Sequence, residues 1–328
     1  MDPVAIVGAG PTGIACAIEL GNRGIPAVCY DRGHILHTIY NFPEEMRWYS
    51  TRDLLDIAGV PFGIPDAHPT RLETLAYYRG VAEKFEVRVI AGTEIVSMTP
   101  TPGGGLDVSA NDAAGARRFP APAAVLATGF FDNPRRLGIP GEDLPHVHRR
   151  FVSGYPFHAR DVVVIGGKNS AAEAALDLYR HGARVTLLVR GAAISDRVKY
   201  WIKPDLENRI RAGAIRALFG VRIVEITPGL VRLETPAGPD SVPAEVVFPL
   251  IGYEPDFGLL ARCGVRLEGP QRVPAHDPAT LESNVPNLYL AGAILGGTEI
   301  GHIFIENSRH HAVWIAGAIE KRLKYVPA

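Results

Sequence analysis

The sequence predicts an α/β fold with two three-layer units, one inserted in the other. The main observation is that an apolar strand, a glycine-rich turn, a helix and a second strand follow one another twice, at residues 4–31 and again at 161–190. The chain has 328 residues, of which 47% are hydrophobic and 21% are charged, enough for two ordinary domains with substantial cores. The recurrence is one of architecture and not of a short-period repeat.

In the first unit, the apolar residues 4–7 form a short buried strand that is followed directly by the glycine-rich turn 8–13. Residues 14–21 are predicted as a helix, because the segment is largely apolar and ends in a stretch with two glycines. Residues 27–30 form the next strand, which ends at Asp31. This order is typical of the start of a nucleotide-binding domain.

The second unit repeats this order. Residues 162–165 are predicted as a strand, 166–171 as the turn, 171–181 as a helix and 185–189 as the next strand. The residue that follows this strand is Arg190, where the first unit has an acid.

Further apolar runs that end close to a glycine predict strands at 123–128, 246–252 and 287–292. Residues 304–321 are predicted as a terminal helix, and the proline- and glycine-rich residues 134–145 as a hinge between domains.

The simplest arrangement places residues 1–130 and 251–328 in an outer domain, into which residues 131–250 are inserted as an inner domain. We therefore expect two Rossmann-like three-layer nucleotide-binding domains within one chain.

Composition excludes several classes of function. The net charge of −1 argues against a general nucleic-acid surface. No stretch approaches the roughly 18 apolar residues of a membrane-spanning helix, and the first residues do not resemble a signal peptide, so we expect a cytoplasmic protein with no membrane partner.

The cysteines, Cys16, Cys29 and Cys263, form neither a disulfide framework nor a metal cluster. We expect Cys16 and Cys29 in the core, whereas Cys263 lies in a loop-like stretch that could be exposed.

The first turn has the Gly-x-Gly-x-x-Gly spacing. Gly8 permits the sharp turn, Gly10 lets the backbone approach a pyrophosphate, and Gly13 lets the helix pack close to the strand. The pyrophosphate rests on the helix N-terminus, and an acid at the end of the second strand binds ribose hydroxyls. We therefore expect this turn, including Pro11 and Thr12, to bind FAD with Asp31.

The second turn differs in its chemistry. Lys168 stands where the middle glycine is expected, and its ammonium group could reach a phosphate or simply face solvent. Arg190 suits a 2′-phosphate better than a free ribose hydroxyl, and Arg197 and Lys199 could extend the basic pocket. The alternative for Arg190 is an ordinary solvated charge at a strand end. We expect this turn to bind NADPH.

Several motifs together resemble the thioredoxin-reductase-like flavoproteins over essentially the whole chain. They are the two turns, Ala127-Thr128-Gly129 and residues 287–292. Residues 39–43, 165–171 and 303–307 are closer still to the bacillithiol disulfide reductase family, in which a lysine inside the second turn is usual.

The resemblance implies FAD, NADPH, a homo-oligomer and reduction of a low-molecular-weight disulfide. It also implies further cofactor-binding residues. Those for FAD are Arg32, Asn41, Thr128, Gly129, Gly292, Ala293 and Ile303. Those for NADPH, besides the basic residues, are Gly166, Gly167, Asn169, Ser170, Ala171 and Gly252.

The sequence departs from the family at the cysteine of the first turn. Better-known members have a cysteine just before the last glycine of the first turn, where this chain has Thr12. Cys16 lies four residues later and does not match it, and there is no Cys-x-x-Cys pair. Because a thiolate is the nucleophile that attacks a disulfide, these departures leave the electron acceptor open. Ala293 replaces an Asp of the wider group that the closer family also lacks.

Alternative functions therefore remain. An NADPH:ferredoxin, flavodoxin or quinone reductase needs no thiol, and an acidic protein partner could dock on Arg47, Arg52, Arg71 and Arg79, unless these are ordinary surface charges. A flavin-based redox sensor is an alternative of another class. A flavin monooxygenase is disfavoured because its Phe-x-Gly-x-x-x-His signature is absent between the two turns.

The only candidate catalytic pair is His302 with Glu306. If these residues lie one helical turn apart, they could supply protons. An ordinary hydrogen-bonded pair at a helix start is an equal alternative.

Overall fold

A computed structural model describes residues 2–324, without the side chain of Ile300. The chain divides into two compact units. The outer unit comprises Met1–Asn41, Ser50–Asn133 and Glu254–Ala328, and the inner unit comprises Phe42–Tyr49 and Pro134–Tyr253. The sequence-based boundaries at 130 and 250 lie a few residues away, but segment 42–49 groups with the inner unit, which the sequence did not indicate.

The strands are β1 (Val4–Val7), β2 (Ala27–Tyr30), β3 (Val89–Ile90), β4 (Glu94–Pro100), β5 (Leu106–Asp112), β6 (Gly115–Ala121), β7 (Ala124–Leu126), β8 (Asp161–Ile165), β9 (Arg184–Val189), β10 (Arg216–Phe219), β11 (Arg222–Thr227), β12 (Gly229–Thr235), β13 (Gly238–Ala244), β14 (Val246–Pro249), β15 (Leu267–Glu268), β16 (Val273–Pro274) and β17 (Leu288–Leu290). The helices are α1 (Pro11–Gly21), α2 (His37–Tyr40), α3 (Arg52–Leu55), α4 (Arg71–Lys84), α5 (Asn169–Arg180), α6 (Lys203–Arg211), α7 (Phe257–Arg262), α8 (Ile305–Ser308) and α9 (His311–Lys324). Short 3₁₀ turns occupy Tyr155–Phe157, Gly292–Gly296 and Ile300–His302.

The outer unit is built on a five-stranded parallel sheet in the order β17-β7-β1-β2-β3. All four residues of β1 are buried, as expected for a parallel strand that is covered on both faces. Helices α1 and α9 pack against each other. The antiparallel sheet β4-β5-β6 is in contact with the parallel sheet, since the rings of Tyr30 on β2 and Phe119 on β6 stack at 5.0 Å.

The inner unit has a four-stranded parallel sheet in the order β10-β9-β8-β14. Side chains of β8 alternate between its two faces. Val162 and Val164 pack in the core with α5 and α6, whereas Val163 and Ile165 pack with the antiparallel sheet β11-β12-β13. The predicted fold class, two Rossmann-like three-layer units, is therefore confirmed.

The predicted terminal helix over 304–321 is wrong in one respect, because it is broken into α8 and α9. Phe304 is extended, and its N–H donates to the Asn307 side chain at 2.8 Å. The Arg309 guanidinium, at the break, binds the Asp56 carboxylate and donates to the Asp56 carbonyl at 3.1 Å. These long-range bonds tie the break between α8 and α9 to the residue that follows α3. Within the described residues, no helix is both long and apolar enough to cross a membrane.

Candidate dinucleotide-binding sites

The first glycine-rich turn of the outer unit is closely packed at two of its three glycines. Gly8 has φ +106°, and a Cβ there would lie 2.6 Å from the Ala127 carbonyl oxygen. A Cβ at Gly13 would lie 2.0 Å from the Gly8 carbonyl oxygen, so α1 approaches the end of β1 as only glycine allows. A Cβ at Gly10 would meet nothing within 4 Å. Gly10 therefore faces open space where a pyrophosphate can approach.

The N-terminus of α1 is available to an anion. Gly10 is its cap and supplies no side-chain hydrogen bond, Pro11 opens the helix, and the first turn contains no acidic residue. The first N–H groups of a helix and its dipole favour a negative charge at this end. The turn therefore fits a dinucleotide pyrophosphate.

Asp31 is fixed beside this turn. One carboxylate oxygen accepts the Ala9 N–H at 2.9 Å, and the other accepts the Gly33 N–H at 2.9 Å. Each oxygen keeps a second lone pair, so the carboxylate can still accept a ribose hydroxyl. The predicted role of Asp31 is compatible with this geometry and remains a proposal.

Two further loops reach the same sheet edge. β7 and β17 run parallel to β1, so the loops that follow them, with Thr128 and Gly129 and with Gly292 and Ala293, lie at the edge that carries the turn. β1 and β7 are adjacent strands. The sheet continues from β1 to β2 and β3 on one side and from β7 to β17 on the other, so the boundary between β1 and β7 is the switch point at which open α/β sheets bind ligands.

Thr12 holds the position of the family's cysteine and has polar neighbours. Its hydroxyl lies 3.5 Å from the Ser308 hydroxyl. A Cβ at Gly292 would lie 3.2 Å from the same Thr12 oxygen. The Gly292 N–H donates to Nδ1 of His311 at 3.1 Å. Ser308 and His311 were not predicted, because nothing in the sequence near them shows that they reach this edge.

The other predicted FAD residues have local roles in this structure. Arg32 pairs with Asp132 at 3.3 Å. The Asn41 side chain donates to the His37 carbonyl at 2.8 Å and so closes α2. Ile303 lies near Gly296, beyond the turn that contains Ala293.

The second turn, in the inner unit, follows β8. A Cβ at Gly166 would lie 2.5 Å from the Leu250 carbonyl oxygen, and one at Gly167 would lie 2.8 Å from Val189. Lys168 is the cap of α5 in an extended conformation, with no side-chain capping bond and no acidic residue in the first turn. This helix end, with Ser170, is therefore also open to an anion, and a side chain at Lys168 is accommodated.

A loop folds back onto this turn. The Asn169 side chain accepts the Lys199 N–H at 2.8 Å and donates to the Arg197 carbonyl at 3.2 Å. The Ser195 N–H donates to the Gly167 carbonyl at 3.0 Å. Asn169 thus holds the backbone of residues 195–199 against the start of α5.

Three cations are exposed on the turn, on the strand end and on this loop: Lys168, Arg190 and Arg197. None of their side chains has a carboxylate partner among residues 2–324. Unpaired cations beside an open helix N-terminus fit a ligand with an extra phosphate.

Lys199 does not join these cations. Its side chain is 8% exposed, binds the Glu173 carboxylate and donates to the Arg47 carbonyl at 2.6 Å. The ammonium charge of Lys199 is therefore already paired in this structure, and its expected contact with a phosphate remains a prediction. Gly252, with φ +106°, accepts the Arg135 N–H at 2.9 Å beyond the end of β14.

All three cysteines are buried and free. The expectation that Cys263 could be exposed is wrong, since it is 2% exposed. Burial raises the pKa of Cys16 to about 12 and that of Cys263 to about 11, and it also raises the pKa of Cys29. None of them is a ready thiolate.

The candidate pair His302 and Glu306 is not one helical turn apart in a helix. His302 ends a 3₁₀ turn, Glu306 lies in α8, and two non-helical residues separate these elements. The structure gives this pair no mutual hydrogen bond among the described residues.

Three of the four arginines of the expected docking patch have partners within the outer unit. Arg52 binds the Ile64 carbonyl, Arg71 donates to the Tyr40 carbonyl at 2.5 Å, and Arg79 lies 3.6 Å from Glu83. Arg47 belongs to the inner unit, whereas these three belong to the outer unit. These contacts weaken the argument for a basic patch.

Known proteins resemble this chain over nearly its whole length. The model of the pyridine nucleotide-disulphide oxidoreductase family matches residues 5–292. The bacilliredoxin reductase of Bacillus subtilis (strain 168) is 37% identical over 318 residues, 97% of each chain. The solved bacillithiol disulfide reductase from Bacillus cereus superposes with a TM-score of 0.94 at 37% identity, covering 98% of this chain and 99% of that one. A ferredoxin–NADP reductase of Ignicoccus hospitalis is 26% identical over 90% of each chain.

Proposed function

The chain belongs to the pyridine nucleotide-disulphide oxidoreductase family, and we propose that it is an NADPH-dependent FAD flavoprotein that reduces a low-molecular-weight disulfide such as bacillithiol disulfide. FAD and a nicotinamide dinucleotide are its cofactors. The substrate is proposed because a solved structure that is 37% identical carries the name of this activity and matches 98% of the chain.

We assign the two cofactors from the opposite charges at the two turns. The outer turn presents the carboxylate of Asp31, which suits ribose hydroxyls and repels an additional phosphate. The inner turn presents Lys168, Arg190 and Arg197 without carboxylate partners among the described residues. We therefore place FAD at the outer turn and NADPH at the inner one.

The reaction balances without a protein thiol. One disulfide, one NADPH and one proton give two thiols and NADP⁺, so that the S–S bond breaks and two electrons are transferred. When bound, FAD would supply the two-electron redox chemistry that links the nicotinamide to the acceptor. The protein contributes binding at two helix N-termini and orientation through Asp31 and Asn169. The buried cysteines contribute no relay.

A second candidate is an NADPH:ferredoxin or flavodoxin reductase. It is favoured by the absence of a reactive thiol among the described residues and by the relative named ferredoxin–NADP reductase. A bacilliredoxin is a further protein acceptor to test, because the Bacillus subtilis relative is named for it. A flavin-based sensor would reduce its flavin without sustained turnover.

An acceptor comparison decides between these functions. Purified protein loaded with FAD is mixed anaerobically with NADPH, and NADPH oxidation is followed with bacillithiol disulfide, oxidised bacilliredoxin, ferredoxin, flavodoxin or a quinone. We expect sustained turnover with the small disulfide. Turnover with ferredoxin or flavodoxin alone would instead establish the second candidate, and flavin reduction without turnover on any acceptor would establish the sensor.

The nucleotide preference is tested by Arg190→Ala, with Arg216→Ala as the matched control. Arg216 is also exposed and without a carboxylate partner in the part of the chain described, but it opens β10 at the opposite sheet edge. Loss of a charge-assisted contact with a 2′-phosphate should raise the KM for NADPH about tenfold or more and leave the KM for NADH unchanged. Equal effects on both nucleotides, or the same effect in the control, would remove this role of Arg190.

We also propose that the protein is cytoplasmic and forms a dimer or a larger homo-oligomer. Light scattering on the FAD-loaded protein measures its mass directly. A monomer at working concentration would contradict the proposed assembly.

A further inference from the structure

His311, the first residue of α9, reaches the proposed FAD edge of the outer unit. Its Nδ1 accepts the Gly292 N–H at 3.1 Å. Because an N–H group can donate only to an unprotonated nitrogen, the imidazole must carry its proton on Nε2 and be neutral. Burial lowers the pKa of His311 to about 4, with smaller contributions from His276 and His310, so this neutral form persists at physiological pH.

The peptide that His311 holds is in an unusual conformation. Gly292 has φ +79°, which favours glycine, and it directly follows β17 and Ala291. On its other side lies Thr12, in the first turn of α1. The Gly292 turn therefore lies between the helix end that receives the pyrophosphate and the start of α9.

The position of His311 is fixed independently of this bond. α9 packs along α1, and the Arg309 guanidinium donates to the carbonyls of Asp53 and Asp56 at 3.2 and 3.1 Å. The imidazole also stacks on Trp314 with ring centroids 5.6 Å apart. These contacts hold Nδ1 of His311 in position independently of its bond with the Gly292 N–H.

We propose that His311 is a positioning residue for FAD, which holds the Gly292 peptide in the orientation that the cofactor needs and thereby sets FAD affinity. Without the imidazole, the Gly292 N–H would lose its acceptor, and the turn would be free to reorient. The proposal rests on the assignment of FAD to the outer turn and is independent of the disulfide substrate.

The test measures FAD binding to apoprotein by flavin fluorescence for His311→Leu, His311→Asn and His310→Leu. Leucine removes the acceptor, whereas the amide oxygen of asparagine lies the same number of bonds from Cβ as Nδ1. His310 is the matched control, since it is the adjacent histidine and is exposed. We expect FAD to bind about 10- to 100-fold more weakly to the His311→Leu variant, within about threefold of wild type to the His311→Asn variant, and unchanged to the control.

Wild-type FAD affinity in His311→Leu would overturn the proposal, even if the apoprotein were less stable. If that variant does not fold, the ¹⁵N shifts of the His311 ring in wild-type holoprotein decide, since a proton on Nδ1 would exclude the bond. The Kd is measured without turnover. A failure to reduce bacillithiol disulfide would therefore refute the proposed substrate and leave this inference intact.

Discussion

Gly13→Ala tests how closely α1 must approach β1 in the outer unit. The new Cβ would lie 2.0 Å from the Gly8 carbonyl oxygen and 3.1 Å from the Gly8 carbonyl carbon, whereas ordinary contact begins at 3.4 Å. The oxygen is thus about 1.4 Å too close, and it belongs to the backbone, which cannot swing aside. Overpacking of this kind costs about 3 kcal/mol, the upper end of the usual range.

For a unit of this size, each kcal/mol lowers the melting temperature by roughly 2–4 °C, so we expect Gly13→Ala to melt roughly 6–12 °C below wild type. Gly10→Ala is the control, because its Cβ meets nothing within 4 Å and its φ of −83° suits alanine. We expect the Gly10→Ala apoprotein to melt like wild type but to bind FAD about tenfold more weakly, since its Cβ intrudes where the pyrophosphate approaches.

The assay is thermal unfolding of the apoproteins, followed by titration with FAD. The inner turn carries Ala171 at the position equivalent to Gly13, so the motif alone does not require glycine there. A Gly13→Ala apoprotein that melts within about 2 °C of wild type would show that the stability of the outer unit does not depend on this close approach.

Two further predictions concern the buried thiols and His311. Native protein should resist N-ethylmaleimide at mildly alkaline pH, because burial raises the pKa of Cys16 to about 12 and that of Cys263 to about 11. Urea-unfolded protein should react at all three cysteines. Mass spectrometry measures the labelling, and fast labelling with loss of turnover would reveal a working thiol. Folding lowers the pKa of His311 from 6.5 to about 4, so as the pH falls the unfolded chain binds a proton before the folded protein does. The free energy of unfolding that this group contributes is therefore fully present above pH 6.5 and is lost as the pH falls towards 4. Urea unfolding across this range should show that the free energy of unfolding of wild type falls by about 2 kcal/mol by about pH 5 because of this group, and that His311→Asn lacks this fall. Parallel pH profiles of the two proteins would contradict the prediction.

Much of the site could be predicted because its signals are local. The spacing of Gly8, Gly10 and Gly13 behind an apolar strand depends on neighbouring residues, and the closeness of Gly13 to Gly8 agrees with the packing role expected of the third glycine. The residue at each strand end, Asp31 or Arg190, is likewise read directly from the chain. These positions follow from the strand–turn–helix order alone.

The features that local patterns do not predict involve partners distant in sequence. The side chain of Lys199 binds the Glu173 carboxylate and donates to the Arg47 carbonyl, which lie 26 and 152 residues away in the sequence. Cys263 follows a short helix in a segment without clear periodicity, yet it is buried. The bond between Gly292 and His311 has no sequence signature.

The sequence by itself therefore determined the fold class, the two turns and their opposite charges, because short-range periodicity and glycine spacing encode them. Only the tertiary structure decided which charges remain free, which thiols are buried and which side chain supports the Gly292 peptide. The physical reason is that burial and pairing depend on contacts made across the sheet edge and between helices, which no local pattern specifies.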